Sequence, residues 1–208
     1  MKVSTKASTR TLLRIDSSLA GSDSVSSQLM DELVNGLIQN HPTNVIHRQL
    51  GSESVPHIDG AWMGALSVDS AELTDEQKVK RDYSDNQIKQ VKEADIIVIA
   101  APMYNFSVPS VLKAWFDHIA RAGETFKYTQ NGPEGLLKDK KVYLVTTRGG
   151  IHAGKATDTL LPFVKIFLEF VGLTDVEVIY AEGLNMGGSL REEGLEAAKH
   201  KIEDILAA

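Results

Sequence analysis

The chain contains no cysteine. Disulfide staples, thiolate zinc sites, iron–sulfur clusters and thiol redox chemistry are therefore excluded. No apolar run approaches the roughly 20 residues that a membrane-spanning helix needs. The formal charge is −6 over 208 residues and no Lys/Arg stripe is present, so nucleic acid and anionic membrane are poor partners. Neither G-x-G-x-x-G nor G-x-x-x-x-G-K-[ST] occurs, which counts against a Rossmann dinucleotide site and a P-loop. The opening MKVSTKASTR is basic and rich in Ser and Thr, but it lacks the apolar core of a secretory signal. We read residues 1–10 as a loose leader, residues 11–208 as one domain, and the address as cytoplasmic by default.

The length suffices to bury one substantial core. Four short apolar segments read as buried strands: Leu12–Ile15, Ile96–Ala101, Val142–Thr146 and Val176–Tyr180. Val45–His47 is a more polar fifth, expected near an edge. Arg14 has no explanation at this level. Helical patterns lie between the strands. Val25, Leu29, Leu33 and Leu37 form one apolar face. Thr74 to Gln77 reads as a capping box opening a polar helix to about Lys92. Pro109 stands in the first turn of a helix burying Val111, Leu112, Trp115, Phe116 and Ile119. Leu160–Val171 is apolar almost all round and stops at Gly172. Ser189 with Glu192 is expected to cap a last helix that buries Leu195, Ala198, Ile202 and Ile205. Residues 51–73 read as irregular, an excursion over one edge. This alternation predicts an α/β, flavodoxin-like three-layer sandwich: a five-stranded parallel sheet, order 2-1-3-4-5, with helices on both faces.

In such a sheet, ligands bind beyond the carboxyl ends of the strands, where strand order reverses. Three loops fall there. The first, DSSLAGSDSVSS, ends at a helix N-terminus that favours an anion, with hydroxyls at Ser18, Ser24 and Ser26. Taken alone it is equally a Ser/Gly loop with Ser24 as helix cap. The second carries Met103, Tyr104, Asn105 and Phe106, a mixture suited to a heteroaromatic ring or to a hydrophobic plug. The third, TTRGGIH, offers the bare N–H groups of Gly149 and Gly150, or a simple glycine turn beside a solvated Arg148 and a surface His152. Together a phosphate cradle, an aromatic-amide wall and an N–H surface describe a phosphorylated planar cofactor, for which FMN is the natural candidate.

The stretches SSLAGSDSVSSQL, VIAAPMYNFSVPSVLKAWFDHIARAGETFKYTQNGPEGL and TTRGGIH closely resemble the FMN-dependent NADH azoreductases, which are also NADH:quinone oxidoreductases. The similarity runs from about Leu12 to the C-terminus. It implies that Ser18, Ser24, Val25 and Ser26 hold the FMN phosphate and ribityl chain. Met103 to Phe106 would line the isoalloxazine ring, with Thr147, Arg148, Gly149 and Gly150 at its pyrimidine side. The resemblance further implies a homodimer with two shared active sites, Leu160–Val171 and Trp115 being interface material. Tyr128 and Phe170 correspond to aromatic positions that shape the substrate pocket in relatives. The implied reaction is ping-pong hydride transfer from NADH to FMN, then to a quinone or azo compound. His152 is the residue expected to position substrate or supply a proton. Arg148 and Lys155 are the cations near enough in sequence to meet a nicotinamide dinucleotide.

Two other readings compete. A flavodoxin-type electron carrier would bind FMN but serve a protein partner, and such carriers are commonly more acidic and monomeric. A flavin-free scaffold of the same fold would stay colourless with FMN. A response-regulator version needs an acidic cluster at the strand ends, where this chain offers Asp16 but otherwise AAPMYN.

Overall fold

The computed structural model describes residues 9–39 and 41–208. Most of the expected leader, residues 1–8, lies outside the described residues, and Arg10 already belongs to the first strand. The elements are β1 (Arg10–Asp16), α1 (Val25–Gln39), β2 (Thr43–Gln49), α2 (Gly60–Ser67), α3 (Asp75–Glu93), β3 (Ile96–Ala100) and α4 (Ser110–Ile119). They continue with β4 (Phe126–Thr129), β5 (Gly132–Gly135), β6 (Lys141–Thr147), α5 (Leu160–Val171), β7 (Asp175–Ala181) and α6 (Leu190–Ala207).

Five parallel strands form one sheet in the order β2-β1-β3-β6-β7. Counting only those five, this is the 2-1-3-4-5 order that the alternation predicts. Central β3 is buried at every residue because helices cover both faces, whereas edge strand β2 leaves Val45 exposed. Side chains alternate across the sheet and so feed two cores. Leu13, Ile15, Ile97, Ile99 and Leu144 pack against α3, α4 and α5; Leu12, Val98, Val145 and Ile179 pack against α1 and α6.

Local chemistry sets the helix ends. The Thr74 hydroxyl accepts from the Gln77 N–H at 3.3 Å while the Gln77 side chain accepts from the Thr74 N–H at 3.0 Å, closing the capping box of α3. Gly172 ends α5 in the left-handed region, φ 100°. The backbone of Gly135 lies so close there that a Cβ on either glycine would collide.

Several expectations need correction. Residues 51–73 are not irregular throughout: Asp59 caps α2 by accepting from the Trp62 N–H at 3.0 Å, and a 3-10 turn follows at Ser70–Glu72. Pro109 precedes α4 as its N-cap instead of lying in the first turn. The hydroxyl of Ser189 reaches Glu193, not Glu192, and caps no backbone N–H of α6. That helix buries Ala198 and Ile202, with Leu195 and Ile205 only half-buried. Trp115, expected as interface material, lies in the core of its own chain instead. It is 1% exposed, and its indole N–H donates to Gln87 at 3.2 Å inside the core. The β4–β5 hairpin lay outside the sequence reading.

Candidate functional site

The carboxyl ends of β1, β3 and β6 deliver their three loops to one edge, and hydrogen bonds stitch those loops together. The buried Ser17 hydroxyl donates to the Ala100 carbonyl at 2.6 Å, tying the first loop to the end of β3. The hydroxyls of Ser18 and Tyr104 are 3.1 Å apart, joining the first loop to the second. The Met103 N–H donates to the Thr147 carbonyl at 2.9 Å, joining the second to the third.

The first loop settles into the start of α1 through Ser24 and Ser27. Ser24 accepts from the Ser27 N–H at 3.1 Å and is therefore a helix cap, while lying 3.2 Å from the Ser26 hydroxyl. The N–H groups of Val25 and Ser26 have no partner among the described residues and sit at the positive end of the helix. Gly51 lets the chain after β2 press against this loop, since a Cβ there would collide with the Ser18 carbonyl. Arg14 now has an account. Its Nε donates to Asp16 at 2.6 Å, and it also pairs with Asp31 and donates to the Ser27 carbonyl at 3.3 Å. Burial opposes the Arg14 charge, but hydrogen bonds and attraction from Asp16 and Asp31 outweigh it and raise the guanidinium pKa. The Asp16 carboxylate also accepts from the Ser27 hydroxyl at 2.9 Å and lies 2.6 Å from His47 Nε2, so the buried Arg14–Asp16 pair, with Asp31 and His47 nearer the surface, supports the loop from behind.

The second loop is a two-residue turn. Tyr104 and Ser107 exchange backbone hydrogen bonds of 2.9 and 3.0 Å, with Asn105 at φ 49° and Phe106 at φ 66°. Paired positive φ is the geometry of a tight hairpin turn, in which Asn is common and Phe is costly. Two contacts hold Phe106 there: the Thr159 hydroxyl donates to its carbonyl, and its ring meets His152 edge-on at 5.8 Å. The outcome is a large aromatic ring, 56% exposed, standing at the sheet edge.

The third loop differs from expectation at Arg148. Its guanidinium is neither solvated nor turned to the edge. It is fully buried, donating to Asp158 at 2.8 Å and to Glu182 at 3.3 Å, with Tyr180 stacked 5.1 Å below. Its N–H and carbonyl are also engaged, with Ala181 and Leu184, and its buried side chain is turned away from any cofactor or dinucleotide at the edge. Gly149 and Gly150, by contrast, have N–H groups without partners among the described residues. Half-buried His152 places Nδ1 2.9 Å from the Thr157 hydroxyl, and exposed Lys155 lies one turn farther on.

The loop after β7 escaped the sequence reading. Asn185 lies against Gly149, where a Cβ would stand 2.6 Å from the Asn185 amide nitrogen. The only available signal was a carboxylate, Glu182, directly beyond the last strand.

Tyr128 and Phe170 do not join this edge in one chain. Phe170 lies ten residues along α5 from Leu160, roughly 15 Å toward the opposite end of the sheet. Phe170 and Tyr128 both pack on Phe126, at 4.3 and 5.5 Å between ring centroids, and the hairpin is anchored at the C-terminus of α5. Tyr128 is 76% exposed. Nearby, a cavity of about 750 Å³ opens between α2 and the end of α4, lined by Ile58, Met63, Leu66 and Arg121 among others.

The donor set fits a flat phosphorylated group. Free N–H groups and hydroxyls at a helix start suit a phosphate, an exposed aromatic turn suits a ring, and unpaired Gly-Gly N–H groups suit that ring's carbonyls. Known proteins resemble the chain over nearly its whole length. The family model for the flavodoxin-like fold matches residues 10–206. An FMN-dependent NADH:quinone oxidoreductase of Saccharophagus degradans is 49% identical over 99% of this chain and 98% of its own length. Its counterpart in Cellvibrio japonicus is 48% identical over 95% of this chain and 99% of its own. An FMN-dependent NADH-azoreductase of Bacillus anthracis, solved in complex with FMN, superimposes with a TM-score of 0.86 at 26% identity, covering 95% of this chain and 98% of that one.

Proposed function

We propose, from the premise that the chain belongs to the flavodoxin-like fold family, that it works as an FMN-dependent NADH:quinone oxidoreductase with azoreductase activity. The observation that carries this reading is the stitched edge, where Ser18–Tyr104 and Met103–Thr147 bonds bring all three loops to one place. When bound, FMN supplies two-electron hydride chemistry, taking a hydride from NADH and giving it to a quinone or azo compound.

The chain's own residues do the rest. Ser18, Ser24, Val25 and Ser26 hold the phosphate and ribityl chain, chiefly through the free N–H groups at the start of α1. Met103, Tyr104, Asn105 and Phe106 line the ring. Thr147, Gly149 and Gly150 meet its pyrimidine side, and Arg148 braces them from beneath. His152, beside Phe106, positions the acceptor or supplies the proton that accompanies the hydride. Phe106 itself keeps water from the reacting face.

The finer reading adds a second copy of the chain. Tyr128 and Phe170 are aromatic positions of the substrate pocket, and their distance from their own chain's edge supports a site completed by a partner's pair. The exposed side of α5, with Ile166 at 69% exposure, supplies part of that interface. A cytoplasmic address belongs to the same proposal. The test is steady-state kinetics of FMN-loaded protein with NADH and NADPH against a quinone and an azo dye. Parallel double-reciprocal lines are expected with both acceptors, and turnover of neither contradicts the function. Gel filtration checks the dimer: a monomer that keeps full activity overturns the shared site.

A further inference from the structure

The loop after β7 makes most of the bonds that shape the Gly-Gly segment. The N–H groups of Leu184, Asn185 and Gly183 donate to the carbonyls of Arg148, Gly149 and Gly150 at 3.1, 3.0 and 3.0 Å. In a trans peptide the N–H that follows a carbonyl points the opposite way, and all peptides here are trans. The N–H groups of Gly149, Gly150 and Ile151 therefore point away from this loop. None of the three has a partner among the described residues.

Immediately downstream, one carboxylate oxygen takes over. Glu182 Oε1 accepts from the His152 N–H at 2.8 Å, the Ala153 N–H at 2.9 Å and the Arg148 guanidinium at 3.3 Å. The second arm of Arg148 is fixed by Asp158 at 2.8 Å, which also accepts from the Leu161 N–H at 3.2 Å at the start of α5. A buried cation held between two carboxylates is a stiff support, because each partner lost leaves the others without compensation.

We propose that Glu182 is a positioning residue: with Arg148 it fixes the third loop so that three consecutive N–H groups, Ile151 as well as Gly149 and Gly150, face the carbonyl-bearing edge of the flavin. This rests on the FMN reading above. Donors fixed in advance need no reorganisation when negative charge is added to the ring, so they raise both affinity and midpoint potential. Ile151 contributes through its backbone, and its side chain is free to vary.

The test compares Glu182→Ala with Glu182→Gln, reading FMN dissociation by flavin fluorescence and midpoint potential by spectroelectrochemistry. The Ala variant should bind FMN about tenfold more weakly, with a lower potential, because acceptors to two N–H groups and a guanidinium vanish together. The Gln variant keeps an acceptor oxygen and should recover most of both. Variants that lose thermal stability while keeping wild-type affinity and potential overturn the proposal. Should the Ala variant fail to fold, titrating the labelled wild type with FMN decides instead. The amide resonance of Ile151 should move with those of Gly149 and Gly150; an unmoved Ile151 overturns the third donor. A wild-type chain that takes up no FMN at all overturns the functional reading itself, which keeps the two failures distinct.

Discussion

The loops after β3 and β6 stand side by side at one edge and are joined by a backbone bond, yet they are built in opposite ways. The first holds Phe106 at φ 66° with its ring out in solvent, restrained by one hydroxyl and one edge-on ring contact. The second sits on Arg148, a cation without exposure, clamped by two carboxylates. The polar wall is held by these ion pairs and by backbone bonds from the loop after β7 before anything binds. The aromatic wall is locally strained and open, as suits a surface that meets acceptors of different shape. Stability and selectivity should therefore separate between the two walls.

The largest effect is expected at the polar wall. Arg148→Met strands Asp158 and Glu182 without their cation and should cost about 3–5 kcal/mol of stability, read by thermal or urea unfolding. A loss under about 1 kcal/mol would mean the clamp supports nothing. His152→Ala comes next and lies at the junction of the walls. We expect the acceptor half-reaction to slow roughly a hundredfold while stability is nearly unchanged; unaltered rates in both half-reactions would remove any role for this imidazole. At the open wall, Phe106→Asn should relieve the positive-φ strain and stabilise by about 1 kcal/mol, while raising KM for the quinone. A variant that is both less stable and fully active would erase the contrast.

The smallest effect is placed away from both walls. His118 in α4 is buried under α2, its Nε2 2.8 Å from the Pro56 carbonyl. Burial lowers its pKa, with the Pro56 bond and Asp117 pulling weakly the other way. The folded chain therefore favours neutral His118. Its contribution is complete above the ordinary histidine value of about 6.5 and is lost as pH falls through the lowered one. Melting temperature should drop modestly between pH 7 and 5, and His118→Phe should flatten that slope; an unchanged slope counts against this assignment.

Much of the frame was legible because it depends on local pattern. Continuous apolar runs such as Ile96–Ala101 need cover on both faces, and the alternation with helices then sets the parallel order. The rule that ligands gather beyond carboxyl strand ends selected the loops that Ser18, Tyr104 and Thr147 join. Less legible were features fixed by partners distant in sequence. Arg14 makes sense only once Asp31 and Ser27 fold onto it, and Arg148 only beside Glu182, 34 residues away. Trp115 carried an apolar signal that cannot distinguish a core from an interface; the Gln87 acceptor decided for the core. The eight residues of α2 are too few to display a helical period, and the β4–β5 hairpin offers no alternating pattern.

The most direct test of the central claim is anaerobic mixing of the FMN-loaded protein with NADH. An FMN-dependent NADH oxidoreductase should lose its yellow absorbance rapidly and regain it when a quinone is added. Flavin that stays yellow over minutes with NADH would contradict the account and point instead to a carrier that receives its electrons from another protein.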